Sequence, residues 1–167
     1  IKEGVEEYYD VSEHADITGG PSIGEKFSSL KLDHLLFIGS NQVAKKVAYQ
    51  TAKNLVPTTL ELGGKSPTII GQNANMKLAA ERILFSKTLN AGQICLSPDY
   101  VFIRKDDEAK FISELQETYS KFFPKPNSMD QTSMVNKHHL DRMHTYILDA
   151  TKKGANVHSL GKNDDLD

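Results

Sequence analysis

Leu35-Leu36-Phe37-Ile38-Gly39-Ser40, followed by the stretch from Asn41 to Leu55, is the part of the chain whose reading decides the fold. Leu35 to Ile38 is an uninterrupted apolar run of strand length, and Gly39-Ser40 is a turn signal. Beyond the turn, Val43, Val47 and Ala48 recur at the three- and four-residue spacing of one helix face. A buried strand, a turn and a helix make the first half of a βαβ unit. Such units build parallel sheets.

The pattern continues outward from there. Thr58 to Leu62 reads as the next strand, Pro67 to Ile70 as another, and Asn75 to Leu89 as a helix carrying Leu78, Ile83 and Leu84. Tyr100 to Ile103 is a further strand. Asp106 to Phe122 is a helix with Asp106 and Asp107 as capping acids, and Pro124-Lys125-Pro126 stops it, since proline has no N–H to donate. A helix from about Lys137 to Lys153 and a short strand near Val157 close the series. With no repeat and no low-complexity tract, the expected class is α/β with largely parallel sheets.

Composition narrows the function. The 167 residues are enough to bury the core of one ordinary domain. Charged residues make up 25% of the chain with a net charge of -2, so the balance does not suit a polyanionic partner such as nucleic acid. The basic pairs Lys45-Lys46 and Lys152-Lys153 do not extend into runs and read as solvated helix faces. One cysteine excludes an intramolecular disulfide and suits a reducing, cytoplasmic setting. No stretch approaches the roughly 18 apolar residues of a membrane span, and no signal peptide opens the chain, which starts at Ile1 and reads as an internal segment. His138, His139 and His144 lack the ligand pattern of a structural zinc site, so no metal is expected. Tyr119, Phe122 and Phe123 read as packing residues.

Two residues carry candidate chemistry. Cys95 ends the segment Asn90-Ala91-Gly92-Gln93-Ile94-Cys95, and the Gly-Gln step before it with Ser97-Pro98-Asp99 after it marks an irregular turn, where binding and catalytic residues concentrate. A free cysteine is also one of the most buried residue types. Glu61, in Leu60-Glu61-Leu62-Gly63-Gly64-Lys65-Ser66-Pro67, interrupts an uncharged stretch that reads as a buried strand. Its alternatives are a pair with Lys65 or simple exposure at a strand end. Taken together, a thiol and a carboxylate suit a nucleophile and its general base.

Here the segments resemble a known family. Leu60 to Pro67 and Asn90 to Cys95 are similar to the two signature segments of the aldehyde dehydrogenase superfamily, at that family's spacing, and Phe37-Ile38-Gly39-Ser40 resembles its Phe-Thr-Gly-Ser turn. Asp33-His34-Leu35-Leu36-Phe37 and Cys95-Leu96-Ser97-Pro98-Asp99-Tyr100 look most like the class-3 branch, which includes fatty and coniferyl aldehyde dehydrogenases. Ile17-Thr18-Gly19-Gly20 and Phe27-Ser28-Ser29-Leu30 lean toward the coniferyl group, and the similarity runs from about Val11 to about Arg142.

The resemblance implies a three-layer α/β fold, with residues 1–60 as the later half of a Rossmann-like NAD(P)-binding domain and 61–167 as the first part of the catalytic domain. It implies oxidation of a small-molecule aldehyde to a carboxylic acid through a thiohemiacetal and a thioester on Cys95. Glu61 would be the base for thioester hydrolysis, and the Cys95 N–H one donor to the oxyanion. Gly39 and Ser40 would lie by the pyrophosphate of NAD or NADP, and Leu62 and Gly63 beside the nicotinamide. Ile38 and Ala44 depart from the family's threonine and second glycine. The longer parent would be a homodimer, and the isolated chain inactive, because further family residues for the oxyanion and cofactor lie outside it. The competing readings are a noncatalytic fold fragment and a thiol acyltransferase relative; the presence of Glu61 favours hydrolysis.

Overall fold

A computed structural model describes residues 2–125 and 131–161. The chain divides into two compact units, Ile1–Gly63 and Gly64–Asp167.

The first unit is built on one βαβ element. Helices α1 (Lys2–Tyr8) and α2 (Pro21–Ser28) precede strand β1 (Leu35–Gly39), helix α3 (Asn41–Ala52) and strand β2 (Thr58–Leu62). The two strands pair in parallel, from Leu35 opposite Thr58 to Gly39 opposite Leu62. The core is small: Leu35, Val47 and Val56 are buried together, with Leu32 and Phe37 packed against them. The Thr58 hydroxyl donates to Thr51 Oγ1 at 2.9 Å, tying the end of α3 to the start of β2.

Four expectations need correction in this unit. β1 is buried on one face only, because side chains alternate across a strand: Leu36 is 59% exposed and Ile38 74% exposed, on the face away from Val47. β2 likewise is not a buried strand, since Thr59, Leu60 and Glu61 are exposed. On α3 the inward face is Ala44, Val47 and Thr51, whereas Val43 is exposed. The helix also ends at Ala52 rather than Leu55. Leu55 takes φ 56°, a left-handed conformation that turns the chain into β2, and its side chain is exposed.

The second unit holds another βαβ element: strand β3 (Ser66–Ile69), helix α4 (Met76–Thr88), a 3₁₀ turn (Leu89–Gly92) and strand β4 (Pro98–Phe102). Helices α5 (Glu108–Phe122) and α6 (Lys137–Lys152) follow. β3 and β4 are parallel, with a bulge that leaves Asp99 between Pro98, which faces Ser66, and Tyr100, which faces Pro67. Ile70, Ala80 and Phe111 form the buried centre, with Ile83, Val101, Ile103 and Leu115 packed around it. Asn75 caps α4 by accepting from Leu78 N at 3.1 Å, and Asn136 caps α6 through His139 N at 3.0 Å.

Differences appear here as well. Leu78 points outward and Ala80 and Leu84 supply the buried face of α4. Asp107 stands at the N-cap of α5 but makes no side-chain cap hydrogen bond, and the carboxylates of Asp106 and Asp107 face the Arg104 guanidinium at 3.5 and 4.0 Å. Val157 lies in irregular, exposed chain rather than a strand. Phe122 ends α5 as expected, with Tyr119 and Phe123 rings 5.0 Å apart; Pro126 of the proline stop lies outside the described residues.

The architecture is α/β with parallel two-stranded sheets. In each unit helices cover one face of the sheet, and the other face, Leu36 and Ile38 in one and Ile69 and Phe102 in the other, is exposed. Among the described residues no helix is long and apolar enough to cross a membrane, and no group of three or more metal-ligating side chains forms.

Candidate active site

The residues of interest gather at two strand edges. In the first unit, Gly39 lies opposite Leu62 at the carboxyl ends of β1 and β2, so Gly39-Ser40 and Glu61-Leu62-Gly63 leave the sheet side by side. This is the edge at which open α/β sheets bind ligands. Glu61 pairs in register with Ile38, on the sheet face opposite Val47, and it is exposed. Lys65, the alternative partner for its carboxylate, is instead bonded to Asp99.

Ser40 starts α3: its Oγ accepts from Val43 N at 3.4 Å and its carbonyl from Ala44 N at 2.9 Å. The amides of Asn41 and Gln42 are then the first-turn donors directed out of the helix, where an anion is favoured. Gly39 leaves room for its neighbour. A Cβ there would stand 2.6 Å from the tip of the Phe37 ring, which occupies that space. Ala44, the departure from the family's second glycine, is 2% exposed and packs inward, so its methyl group does not stand over the helix start.

Beside this edge lies a feature that sequence periodicity missed. A cavity of about 780 Å³ opens between α2 and α3, lined by Pro21, Phe27, Leu36, Val43, Tyr49 and Lys45 among others. Its size is that of a small-molecule site. Val43, assigned to the core on spacing, lines this cavity instead. An apolar, aromatic-walled cavity beside a helix N-terminus fits the base and phosphates of a dinucleotide. The residues present thus fit part of NAD or NADP.

Cys95 lies at the opposite kind of edge, where β3 and β4 begin. Ile94 to Ser97 form a tight turn closed by Ser97 N donating to Ile94 O at 3.0 Å, and Cys95 is its second residue, exposed. The approach to it is conformationally costly. Asn90 (φ 51°), Ala91 (φ 54°) and Gly92 (φ 71°) are successive left-handed residues, a conformation that glycine adopts freely, asparagine tolerates and alanine adopts at a cost. Strain of this kind persists where surrounding structure enforces it and clusters at functional sites.

Several contacts hold the turn. Ser97 is buried and its hydroxyl reaches Ser86 O of α4 at 3.5 Å. Lys65, just before β3, and Asp99, in the bulge of β4, form an ion pair across the start of the sheet. Gly64 completes the enclosure: a Cβ on it would stand 3.1 Å from the Cys95 carbonyl oxygen. Gln93 links the turn to residues 133–135. Gly64 belongs to the quoted signature, but nothing local in the sequence points to the role of Gln93, whose partners lie some forty residues on.

The described residues therefore bring Gly39, Ser40, Glu61, Leu62 and Gly63 together in the first unit, and place Cys95 in the second. Comparison with known proteins agrees with the signature segments. The profile of the aldehyde dehydrogenase family matches residues 16–167. A Caulobacter vibrioides protein named "Probable coniferyl aldehyde dehydrogenase" is 48% identical over 150 residues, covering 89% of this chain and 31% of that protein. The solved "Substrate bound state of Staphylococcus Aureus AldH" superposes with a TM-score of 0.83 at 35% identity, over 90% of this chain and 33% of that one. Betaine aldehyde dehydrogenase from Staphylococcus aureus, solved in complex with NAD+, gives a TM-score of 0.76 at 26% identity, over 89% of this chain and 31% of that one. The chain spans about a third of the length of the curated relatives it matches. It belongs to the aldehyde dehydrogenase family.

Proposed function

We propose that this chain supplies the nucleophile and the general base of an NAD(P)-dependent aldehyde dehydrogenase that converts an aldehyde into a carboxylic acid. The observation that carries the reading is the placement of Cys95: the only cysteine of the chain is exposed on a tight turn reached through strained backbone. An inert cysteine would sit in the core.

In this reading the Cys95 thiolate attacks the aldehyde carbon and holds it covalently as a thiohemiacetal, with the Cys95 N–H donating to the oxyanion. When bound, the nicotinamide would accept the hydrogen of that carbon together with its electron pair, as the oxyanion closes to the carbonyl of a thioester on Cys95. Glu61 takes a proton from the water that cleaves the resulting thioester, and Cys95 leaves as thiolate. The Gly39-Ser40 turn and the cavity between α2 and α3 hold phosphate and base, while Leu62 and Gly63 form the backbone beside the nicotinamide. Residues 1–60 would thus belong to the cofactor domain, and the segment from 61 onward to the catalytic domain, with Glu61 at the changeover.

The substrate class we infer is aromatic, of the coniferyl aldehyde type, on the strength of the 48% identity to the Caulobacter protein. The longer protein would be a homodimer in the cytoplasm, a setting that keeps the exposed Cys95 thiol reduced. The test is oxidation of coniferyl aldehyde by the longer protein with NAD and NADP, beside its Cys95→Ser variant. Loss of oxidation in the variant supports the reading, and retained oxidation rejects it.

A further inference from the structure

We infer that Gln93 is a positioning residue, whose side-chain amide fixes the Cys95 turn against a distant segment of the same unit. The inference rests on Cys95 being the nucleophile. Gln93 Nε2 donates to Asn90 O at 3.0 Å and to Ser133 O at 3.2 Å, while Oε1 accepts from Val135 N at 2.9 Å. Both ends of the amide are used. The backbone adds to this: Gln93 N donates to Asn90 O at 3.1 Å, and Asn90 Nδ2 donates back to Gln93 O at 3.2 Å.

The arrangement answers a specific need. Asn90, Ala91 and Gly92 are all left-handed, and this conformation must be over-determined to persist. Gln93 closes that strained run from its carboxyl side, two residues before the thiol. The segment it grips is itself anchored, because Gln131 Nε2 donates to Tyr119 Oη of α5 at 2.8 Å. Two sets of hydrogen bonds, joined by the backbone of residues 131–135, therefore tie helix α5 to Gln93, which leads directly into the Cys95 turn. No proton or substrate contact is assigned to Gln93. Its part is to hold the thiol where attack is productive, a requirement for which a shift of about 1 Å can cost on the order of 100-fold in rate.

The experiment uses the longer protein with Gln93→Ala, Gln93→Glu and, in parallel, Cys95→Ser. At neutral pH, Gln93→Glu keeps the acceptor for Val135 N–H and loses both donors, so the two substitutions separate the halves of the clamp. Expected is a fall in kcat of roughly 10- to 100-fold in both variants, with KM for the aldehyde within about threefold. Hydrogen exchange at Val135 N–H should accelerate in Gln93→Ala and stay slow in Gln93→Glu. A merely stabilising side chain would move the thermal midpoint and leave kcat per folded molecule unchanged.

A folded Gln93→Ala protein with kcat within about twofold of the parent, or unchanged exchange at Val135, overturns the inference. Should Gln93→Ala not fold, kcat of Gln93→Glu decides alone. Retained activity in Cys95→Ser removes the nucleophile and the positioning inference together, whereas an inactive Cys95→Ser beside a fully active Gln93→Ala removes only the latter.

Discussion

Glu61 stands on the uncovered face of a two-stranded sheet, one residue from the carboxyl end of its strand, and this placement bears on its chemistry more than its residue type does. A carboxylate buried there would need a partner. Lys65, the nearest cation in sequence, is committed to Asp99, so Glu61 is left exposed and open to a water molecule. Replacing it by glutamine keeps the shape and removes the base. In the longer protein Glu61→Gln should slow thioester hydrolysis by about 100-fold or more, within the range of general-base contributions. Rapid-mixing measurements should then show one fast turnover per site followed by a slow steady state, and a steady state at the parental rate would reject Glu61 as base.

At this scale the sequence was most informative. Cys95, Glu61, Gly39 and Ser40 stand out as candidates in the sequence, because thiol, carboxylate and glycine are chemically unusual in the settings where they occur. Gln93 was not. Its meaning depends on Ser133 and Val135, which no local pattern relates to it. Gly64 was quoted, but its reason is a steric one: the 3.1 Å from a would-be Cβ to the Cys95 carbonyl exists only once β3 and β4 are paired.

Among the elements, the starts of β3 and β4 matter most, since parallel pairing there brings Gly64, Lys65, Cys95 and Asp99 into one neighbourhood. Gly64→Ala tests this directly. Gly64 has no left-handed φ, so the substitution acts chiefly through the tight contact with the Cys95 carbonyl, the Ser66 hydroxyl lying at an ordinary 3.8 Å. A shift of a few tenths of an ångström in the turn should lower kcat by less than the roughly 100-fold of a 1 Å displacement, with little change in stability. Unaltered kcat would show that the turn tolerates the methyl group. The control is Asn75→Ala, which removes the cap of α4 and should cost about 1 kcal/mol in denaturant unfolding while leaving kcat per folded molecule as it was. A stability loss with Gly64→Ala as large as with Asn75→Ala would mean that Gly64 serves the fold rather than the thiol.

Element types followed from periodicity, whereas burial did not. Strand β1 and helix α3 were read correctly from the change of period at Gly39, yet Leu36 and Ile38 were assigned to a core that covers only one face. Apolar runs report what a strand can bury, and only the neighbouring layers decide what it does bury. Val43 and Ala44 show the same limit on a helix. A one-residue rotation of the face separates a core side chain from one lining a cavity, and the spacing rule does not resolve it. The capping acids Asp106 and Asp107 failed because Arg104 offered them a partner before the helix began.

For the whole molecule, the exposed apolar faces of both sheets bear on how the isolated chain behaves. Leu36, Ile38, Ile69 and Phe102 lie in strands whose bare faces a complete α/β protein would cover. The isolated chain should therefore expose surface that binds apolar dyes, and it should show no aldehyde oxidation above that of its Cys95→Ser variant. Turnover near that of a full-length relative would refute this. The fold class was legible because it depends on the order of elements, which the sequence records. The extent of each core was not, because an apolar run does not record which of its faces a neighbouring layer covers.

In the proposed chemistry Cys95 becomes acylated by the aldehyde as it is oxidised. The direct measurement is mass spectrometry of the peptide containing Cys95, from the longer protein bearing Glu61→Gln, quenched in acid after brief incubation with coniferyl aldehyde and NAD or NADP. An acyl group on Cys95 should build up in this variant, decay faster in the parent and be absent without cofactor. An unmodified Cys95 during continuing oxidation, or the acyl group on any other residue, would contradict it.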